Sequence, residues 1–335
     1  MLTVENFITV VYCIVDDLLT AVVHKHTHGK GLRPGRVEPK LSDSEVITMV
    51  VVGEFLGKDT DKGIWRYFKN HWQSTFPELR ERTRFVRRVA DLWWFIGSIQ
   101  HVLANHLGAF EDDVHIVDGL PMIVANVNRA SRAKLFRGEA NVGYCASKKL
   151  YYYGFHGHLC ISLGGIITEF SATAASASER EAMWEVLHEV SGKVLGDKGY
   201  IGRFLGIMLR EETGIELWTP VRKNMKATTG PRTNGMLCNV RRRIETVIGQ
   251  LSERLHLERV RARDTWHLTV RVQRKLLAHT VGMFLLRGMG VHTMELDMVV
   301  AALEYRTARP SPWCIVVWMD DSPSSRREGS ARKCP

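Results

Sequence analysis

The chain has 335 residues, 45% of them hydrophobic, which is enough for one large domain or two ordinary ones with a sizeable core. Its six cysteines are scattered and form no C-x-x-C pair. This spacing argues against a zinc ribbon or a disulfide scaffold and indicates a reduced, cytosolic compartment. No apolar run approaches the ~18 residues of a membrane span, and the first residues lack the basic start of a signal peptide. We therefore expect a cytoplasmic protein without a membrane partner.

The formal net charge of +10 is concentrated in one segment. Residues 222–275 contain 14 Lys and Arg against 4 Asp and Glu, whereas the rest of the chain has 32 basic and 32 acidic residues. A local excess of this kind favours a polyanionic partner such as nucleic acid. A solvated basic face explains the charge equally well, so charge alone does not decide between the two.

The first hundred residues predict helices. Phe7–His24 has the apolar spacing of a helix, Lys25–Lys40 predicts a loop, and Ser42 with Glu45 predicts a capping box at the start of a second helix. Arg80–Val89 carries five arginines and continues into aromatic residues. This stretch predicts either a small DNA-binding helical unit or an amphipathic helix with a solvated face.

From about Glu111 the pattern predicts alternating strands and helices. Val114–Val117 predicts a short strand ending at Asp118, and two further strands flank the turn-forming pair Gly164-Gly165. The later predicted elements are a helix at Ser178–Ser191 with a capping box of Ser178 and Glu181, a strand at Val194–Gly196, a helix at Tyr200–Glu212 and a strand at Ile215–Val221. This order predicts an α/β fold, a mixed sheet flanked by helices.

Beyond Arg241 the sequence predicts long helices. Ile244, Val247, Ile248, Leu251 and Leu255 form an apolar stripe at helical spacing. Further helix is expected through Leu286 and again over residues 294–305, followed by a disordered tail. The resulting division is a helical region at 1–110, an α/β domain with C-terminal helices at 111–307, and a tail at 308–335.

Three carboxylates are candidates for one site. Asp118 and Asp197 each follow a predicted strand, and ligands of open α/β sheets bind at the carboxyl ends of strands. Each aspartate also suits an ordinary turn before glycine. Glu245 borders the apolar stripe of its helix, where a carboxylate is costly unless it is paired or binds a cation. An ion pair with Arg241, four residues earlier, is the alternative.

Three carboxylates from two strands and a facing helix suit a metal-dependent reaction. Mg²⁺ prefers oxygen ligands, usually carboxylates with phosphate oxygens and water. Two such ions about 4 Å apart can activate the attacking oxygen and stabilise the leaving oxygen of a phosphodiester. Mn²⁺ should substitute for Mg²⁺ because it accepts the same ligands.

Several ordered blocks of the sequence resemble the DDE transposases of bacterial insertion sequences, most closely the nine-eighty-two group. The blocks are Asp118-Gly119-Leu120-Pro121, Lys149 with residues 153–158, Gly196-Asp197-Lys198-Gly199-Tyr200, residues 243–246, Arg261-Ala262-Arg263 and residues 275–280. The resemblance extends over about residues 1–300. Cys238 and Ser252 stand where the wider group often has Tyr and Lys, and His156 where it usually has Lys.

The resemblance implies an RNase H-like core with Asp118, Asp197 and Glu245 as the catalytic, metal-binding triad. It also implies an enzyme that binds the terminal inverted repeats of its element, exposes 3′-hydroxyl ends and joins them to target DNA. Such enzymes act on double-stranded DNA as homo-oligomers on paired ends. The expected DNA-binding residues are Lys149, Lys198, Arg222, Lys223, Arg241, Arg242, Arg243, Arg261, Arg263 and Lys275.

Two other functions remain open from the residues. One is a nuclease of the same fold that cuts without joining, because water and a 3′-hydroxyl use the same metals. The other is a non-catalytic DNA-binding relative, although all three carboxylates are present. His156 and His158 share one face of a strand and could bind a metal, but a core or DNA-backbone role suits them better.

Overall fold

A computed structural model describes residues 3–28, 39–200, 202–220 and 231–291, together with Leu296 and Val299. The tail predicted at 308–335 and most of the helix predicted at 294–305 lie outside the described residues. Within the described residues, five helices precede the first strand: α1 (Val4–Thr27), α2 (Asp43–Phe55), α3 (Asp61–His71), α4 (Arg82–Asp91) and α5 (Trp93–His106).

Local capping explains where the first helices begin. The Thr3 hydroxyl accepts a hydrogen bond from the Asn6 amide at the start of α1. The predicted capping box is confirmed, since Ser42 accepts from the Glu45 amide and the Glu45 carboxylate accepts from the Ser42 amide. Both arrangements satisfy amides that have no partner within the helix.

Helix α1 is long and apolar enough to pass the composition test for a membrane span, contrary to the expectation that no segment would. In the fold its apolar side chains, among them Val11, Val15 and Leu18, are buried in the main hydrophobic cluster. One side of α1 therefore packs against the protein core, and a helix packed in this way can pass the same test.

The described residues form a six-stranded mixed sheet with the order β2-β3-β1-β5-β6, in which β4 also pairs with β3. Its strands are β1 (Val114–Asn126), β2 (Asn141–Cys145), β3 (Leu150–Ser162), β4 (Ile167–Ala174), β5 (Lys193–Gly196) and β6 (Glu216–Trp218). β3 runs antiparallel to β1, β2 and β4, whereas β5 is parallel to β1 and β6. The α/β fold predicted from the sequence is confirmed.

The remaining helices are α6 (Met183–Val186), α7 (Arg203–Thr213), α8 (Pro231–Gly249) and α9 (Thr265–Gly288). One hydrophobic cluster includes side chains from α1, one face of the sheet, α8 and α9. A smaller cluster packs α6 and α7 against the opposite face through residues such as Val117 and Cys160. The sheet is therefore covered on both faces, as a mixed sheet of this kind requires.

Two local predictions are wrong. Strand β1 does not end at Asp118 but continues to Asn126, because β3 supplies hydrogen-bonding partners along its whole length. The long helix and capping box expected from Ser178 are reduced to the four residues of α6. The Ser178 hydroxyl instead accepts from the Arg180 amide in a turn, the local bonding by which serine competes with helix.

A buried ionic cluster joins the N-terminal helices to α9. Arg274 lies 2.5 Å from both Glu54 and Asp61, and Lys275 Nζ lies 2.6 Å from the second oxygen of Glu54. Both basic side chains are at most 1% exposed. Lys275 therefore holds the interior together, and its prediction as a DNA contact is not supported. Its local motif gave no sign that its partner lies more than two hundred residues away.

Candidate active site

The sheet brings the two predicted aspartates to the same place. Strands β1 and β5 are parallel, and the last matched pair is Val117 with Gly196. The next residues along the two strands are Asp118 and Asp197. Asp118 also lies opposite Leu159 of the antiparallel β3, and Leu159 belongs to the main cluster that α8 joins. Directly opposed residues share a face of the sheet, so Asp118 lies on the face covered by α8.

Arg241 connects the third carboxylate to this pair. Its guanidinium lies 2.8 Å from Asp197 through Nη1 and 3.6 Å from Glu245 through Nε. Glu245 has a 59% exposed side chain, so it borders the packed stripe but is not buried by it. The ion pair between Arg241 and Glu245, considered as an alternative from the sequence, is present, and it coexists with proximity of Glu245 to the aspartates.

Asp118 is the carboxylate whose protonation the fold changes most. Burial raises the pKa of Asp118 to about 6, and the negative charges of Asp197 and Glu245 act in the same direction. The Gly119 amide, which donates to Asp118 Oδ1 at 2.8 Å, and the charge of Arg241 oppose this shift. The raised pKa of Asp118 therefore comes mainly from its removal from water, and the two neighbouring carboxylates add to it.

Two glycines next to the aspartates make room for side chains that the sequence analysis did not assign to the site. A Cβ on Gly119 would lie 2.1 Å from His156 Nε2, and a Cβ on Gly199 would lie 1.5 Å from Glu179 Oε2. His156 and Glu179 themselves approach to 3.7 Å. The glycines thus permit side chains to pack directly against the backbone beside Asp118 and Asp197.

Glu179 is a fourth acidic group near the site. Burial raises the pKa of Glu179, and the charges of Asp118 and Asp197 raise it further. Glu179 stands in the stretch wrongly predicted as a regular helix, so its approach to the aspartates could not be predicted from the sequence. His156 and His158 stack at 4.8 Å, and burial lowers both of their pKa values, that of His158 to about 3. Both imidazoles are therefore neutral at neutral pH. His158 is buried, whereas the side chain of His156 is partly exposed.

The carboxylates suit a divalent cation in chemistry but not in their present spacing. Mg²⁺ and Mn²⁺ bind negatively charged oxygen ligands, and Asp118, Asp197 and Glu245 supply only such ligands. Within the described part of the chain, no three His, Cys, Asp or Glu side chains are close enough to hold a metal ion together. Arg241 lies between Asp197 and Glu245 and supplies positive charge there. Metal binding would require Arg241 to move away.

The other predicted DNA-binding residues occupy different places. Lys149, Arg242, Arg261 and Arg263 have exposed side chains. Arg243 donates to the Leu163 carbonyl and so ties α8 to the turn between β3 and β4. Arg222 and Lys223 lie outside the described residues, as does the side chain of Lys198.

A comparison with protein families identifies this region. Residues 108–265 match the family model described as a transposase DDE domain. This stretch is similar to a DDE domain over somewhat less than half of the chain. The matched range contains Asp118, Asp197 and Glu245, and it begins after α5 and ends at the start of α9. No curated protein and no solved structure gave a match.

Proposed function

We propose that the protein is the DNA transposase of a bacterial insertion sequence of the nine-eighty-two group. It binds the terminal inverted repeats of its element, cleaves to expose 3′-hydroxyl ends and joins those ends to target DNA. Asp118, Asp197 and Glu245 are the catalytic residues. The protein acts as a homo-oligomer that holds two double-stranded DNA ends together.

One observation carries the proposal. Asp118 and Asp197 follow the last matched pair of two parallel strands, and Arg241 links Asp197 to Glu245 on the helix that covers the same face. Residues more than 120 positions apart in sequence, from Asp118 to Glu245, thereby meet within one DDE domain. Structural ion pairs alone do not require a buried aspartate whose pKa lies well above its ordinary value.

Asp118, Asp197 and Glu245 would hold two Mg²⁺ ions, which Mn²⁺ can replace. When bound, the ions supply an activated attacking oxygen and charge stabilisation for the leaving oxygen. The carboxylate oxygens of Asp118, Asp197 and Glu245 would hold the two ions in place. Burial by β1 and α8 limits the access of water around Asp118, which strengthens charge interactions at this end of the site.

Arg241 has two successive roles in this proposal. In the protein without metal or DNA, its guanidinium neutralises Asp197 and Glu245 and keeps α8 close to the sheet. When metal binds the carboxylates, Arg241 turns to a DNA phosphate, for which its planar fork is suited. Arg242, Arg261 and Arg263 make further phosphate contacts along the same segment, together with Lys149, Lys198, Arg222 and Lys223. Arg243 contributes by holding α8 in place.

The experiment is a cleavage and joining assay on a labelled duplex that carries one element end, with a second duplex as target. Asp118→Asn, Asp197→Asn and Glu245→Gln should each lower cleavage at least a hundredfold while duplex affinity changes little, because phosphate contacts are separate from the metal ligands. Glu253→Gln is the control, since Glu253 is an exposed glutamate in the turn that follows α8.

The outcomes separate the candidate functions. Cleavage with joining supports a transposase, and cleavage without joining supports a nuclease of the same fold. No cleavage by the unmodified chain in Mg²⁺ or Mn²⁺ supports a non-catalytic DNA-binding protein. A triad variant that cuts as fast as the Glu253→Gln control would remove its residue from the catalytic set.

A further inference from the structure

The β2–β3 hairpin displays an unusual pair of aromatic side chains. Tyr144 and Tyr151 lie directly opposite each other on the two strands, with ring centroids 4.6 Å apart and planes inclined by 43°. The side chains are 51% and 58% exposed, and the neighbouring Leu135 and Leu150 are exposed as well. A cross-strand aromatic pair stabilises a hairpin modestly. This stabilisation does not explain why about half of the surface of each ring is exposed to water.

The chain segment that contains the hairpin turn is basic. Residues 129–149 contain six Lys and Arg and a single acidic residue, Glu139, so the local net charge is +5. All six basic side chains are exposed, and they are Arg129, Arg132, Lys134, Arg137, Lys148 and Lys149. Within the described residues only Lys148 has an ionic partner, Glu258. Five exposed cations of this segment are thus available to an anionic ligand.

The hairpin and the candidate active site share a face of the sheet. Tyr151 and Leu159 lie eight residues apart on the same strand and therefore point to the same side. Leu159 is opposite Asp118. At about 3.3 Å per residue the tyrosine lies roughly 26 Å from Asp118 along β3. The ion pair of Lys148 with Glu258 connects the tip of the hairpin to the segment that follows α8. An extended ligand that leaves the candidate active site along β3 would reach the rings of Tyr144 and Tyr151.

Charge determines which partner suits this surface. A second copy of the chain, docked through the same face by a twofold axis, would oppose one +5 surface with another. A nucleic-acid strand supplies phosphates for the cations and flat bases for the rings. Paired bases within a duplex do not offer their flat faces to a side chain, whereas unpaired bases do.

We propose that the β2–β3 hairpin binds single-stranded DNA. The rings of Tyr144 and Tyr151 stack on one unpaired base, and the surrounding Lys and Arg side chains contact its flanking phosphates. The choice of DNA over RNA rests on the proposed function, but the surface binds whether or not the three carboxylates are catalytic. The hairpin would bind a DNA strand that has separated from its complementary strand near an end of the insertion sequence.

The test measures binding of the full chain, in EDTA, to a fluorescein-labelled 15-nucleotide oligo(dT) and to a 15-base-pair duplex. Tyr144→Leu with Tyr151→Leu keeps apolar bulk but removes the stacking rings, and it should weaken oligo(dT) binding roughly tenfold. Tyr144→Phe with Tyr151→Phe should bind as the unmodified chain does. Phe204→Leu, at an exposed aromatic residue of α7, is the matched control and should have no effect.

The cations are tested through salt dependence. Lys134→Gln, Arg137→Gln and Lys149→Gln combined should lower the slope of log affinity against log salt for oligo(dT) by about 2, at roughly 0.7 per lost phosphate contact. Unchanged oligo(dT) affinity in the double leucine variant would overturn the proposal. Equal losses for oligo(dT) and duplex would overturn the role of an unpaired base. A changed oligomeric state with unchanged DNA affinity would assign the surface to self-association. None of these outcomes depends on cleavage, so they are independent of the triad assay.

Discussion

Arg241 keeps the three carboxylates in an arrangement that does not bind metal. Its guanidinium contacts Asp197 and Glu245, so any cation there must displace or outcompete it. We expect Arg241→Ala to bind Mn²⁺ several-fold more tightly than the unmodified chain, and to bind duplex DNA more weakly. Electron paramagnetic resonance of free Mn²⁺ measures the first effect and fluorescence anisotropy the second. Arg242→Ala, at the adjacent exposed arginine, is the control for the metal affinity alone, because Arg242 is itself a proposed phosphate contact. Equal metal affinity in both variants would show that Arg241 does not block the site.

Asp118 gives a prediction about stability in the absence of metal. Its pKa is raised by burial from 3.8 to about 6, so the folded protein binds this proton more tightly than the unfolded chain does. The stabilisation from Asp118 is therefore fully present below about pH 4 and is lost as the pH rises through 6. Asp118→Asn removes the buried charge and should raise the melting temperature at pH 7 by a few degrees, on the order of 1–3 kcal/mol.

The measurement is thermal unfolding in EDTA at pH values from 4 to 8. The difference in melting temperature between Asp118→Asn and the unmodified chain should grow across this range and level off above pH 6. Asp91→Asn, at an exposed aspartate, should leave the melting temperature almost unchanged at every pH. A destabilised Asp118→Asn protein at pH 7 would mean that the ionised carboxylate has a stabilising partner that outweighs its burial.

At the level of elements, α9 is held by charge as well as by apolar packing. Glu54 neutralises both Arg274 and Lys275 inside the protein. Burial lowers the pKa of Lys275, whereas Glu54 raises it and so keeps the ammonium charged. Glu54→Gln removes the carboxylate that pairs with both buried cations and should destabilise the fold by about 3–5 kcal/mol. Lys275→Met should cost much less, because Arg274 still pairs with Glu54.

The same variants test whether Lys275 has any part in DNA binding. Urea unfolding gives the stabilities, and duplex affinity at several salt concentrations gives the number of phosphate contacts. Lys275→Met should keep the salt slope of the unmodified chain, whereas Arg261→Gln, at an exposed arginine, should lower it by about 0.9. A lower slope for Lys275→Met would restore that residue to the DNA-binding set.

The sequence predicted elements best where a local signal marked them. The strands on either side of Gly164-Gly165 and the stripe of α8 are close to their predicted positions, because the glycine pair marks the turn between the strands and the apolar spacing marks the helix. β1 was predicted too short, since its second half depends on β3, which no local pattern reveals. The triad could be proposed from strand ends and a family resemblance. The bridging position of Arg241, the approach of Glu179 and the burial of Lys275 depend on contacts between distant segments.

On the scale of the whole molecule, one core among the described residues serves both the N-terminal helices and the region that matches the DDE family model. Apolar side chains of α1, α2 and α5 belong to the same cluster as those of the sheet and α9. α9 is buried on nearly all sides, and its ionic partners Glu54 and Asp61 lie on α2 and α3. The two regions predicted on either side of residue 110 therefore share one hydrophobic core in their described parts.

This sharing predicts that neither region folds well alone. A fragment of residues 108–335 would expose the apolar surface of α9 and leave Arg274 and Lys275 without their carboxylates. Each unpaired buried charge costs several kcal/mol, which is comparable with the whole stability of an ordinary domain. We expect this fragment to aggregate or to melt without a cooperative transition, and residues 1–107 to behave likewise. Co-expression of the two fragments should restore a soluble complex with a single transition in calorimetry, because the missing surfaces are then supplied. If residues 108–335 melted cooperatively alone, near the temperature of the full chain, the shared core would contribute little, and the N-terminal helices would be an independent domain.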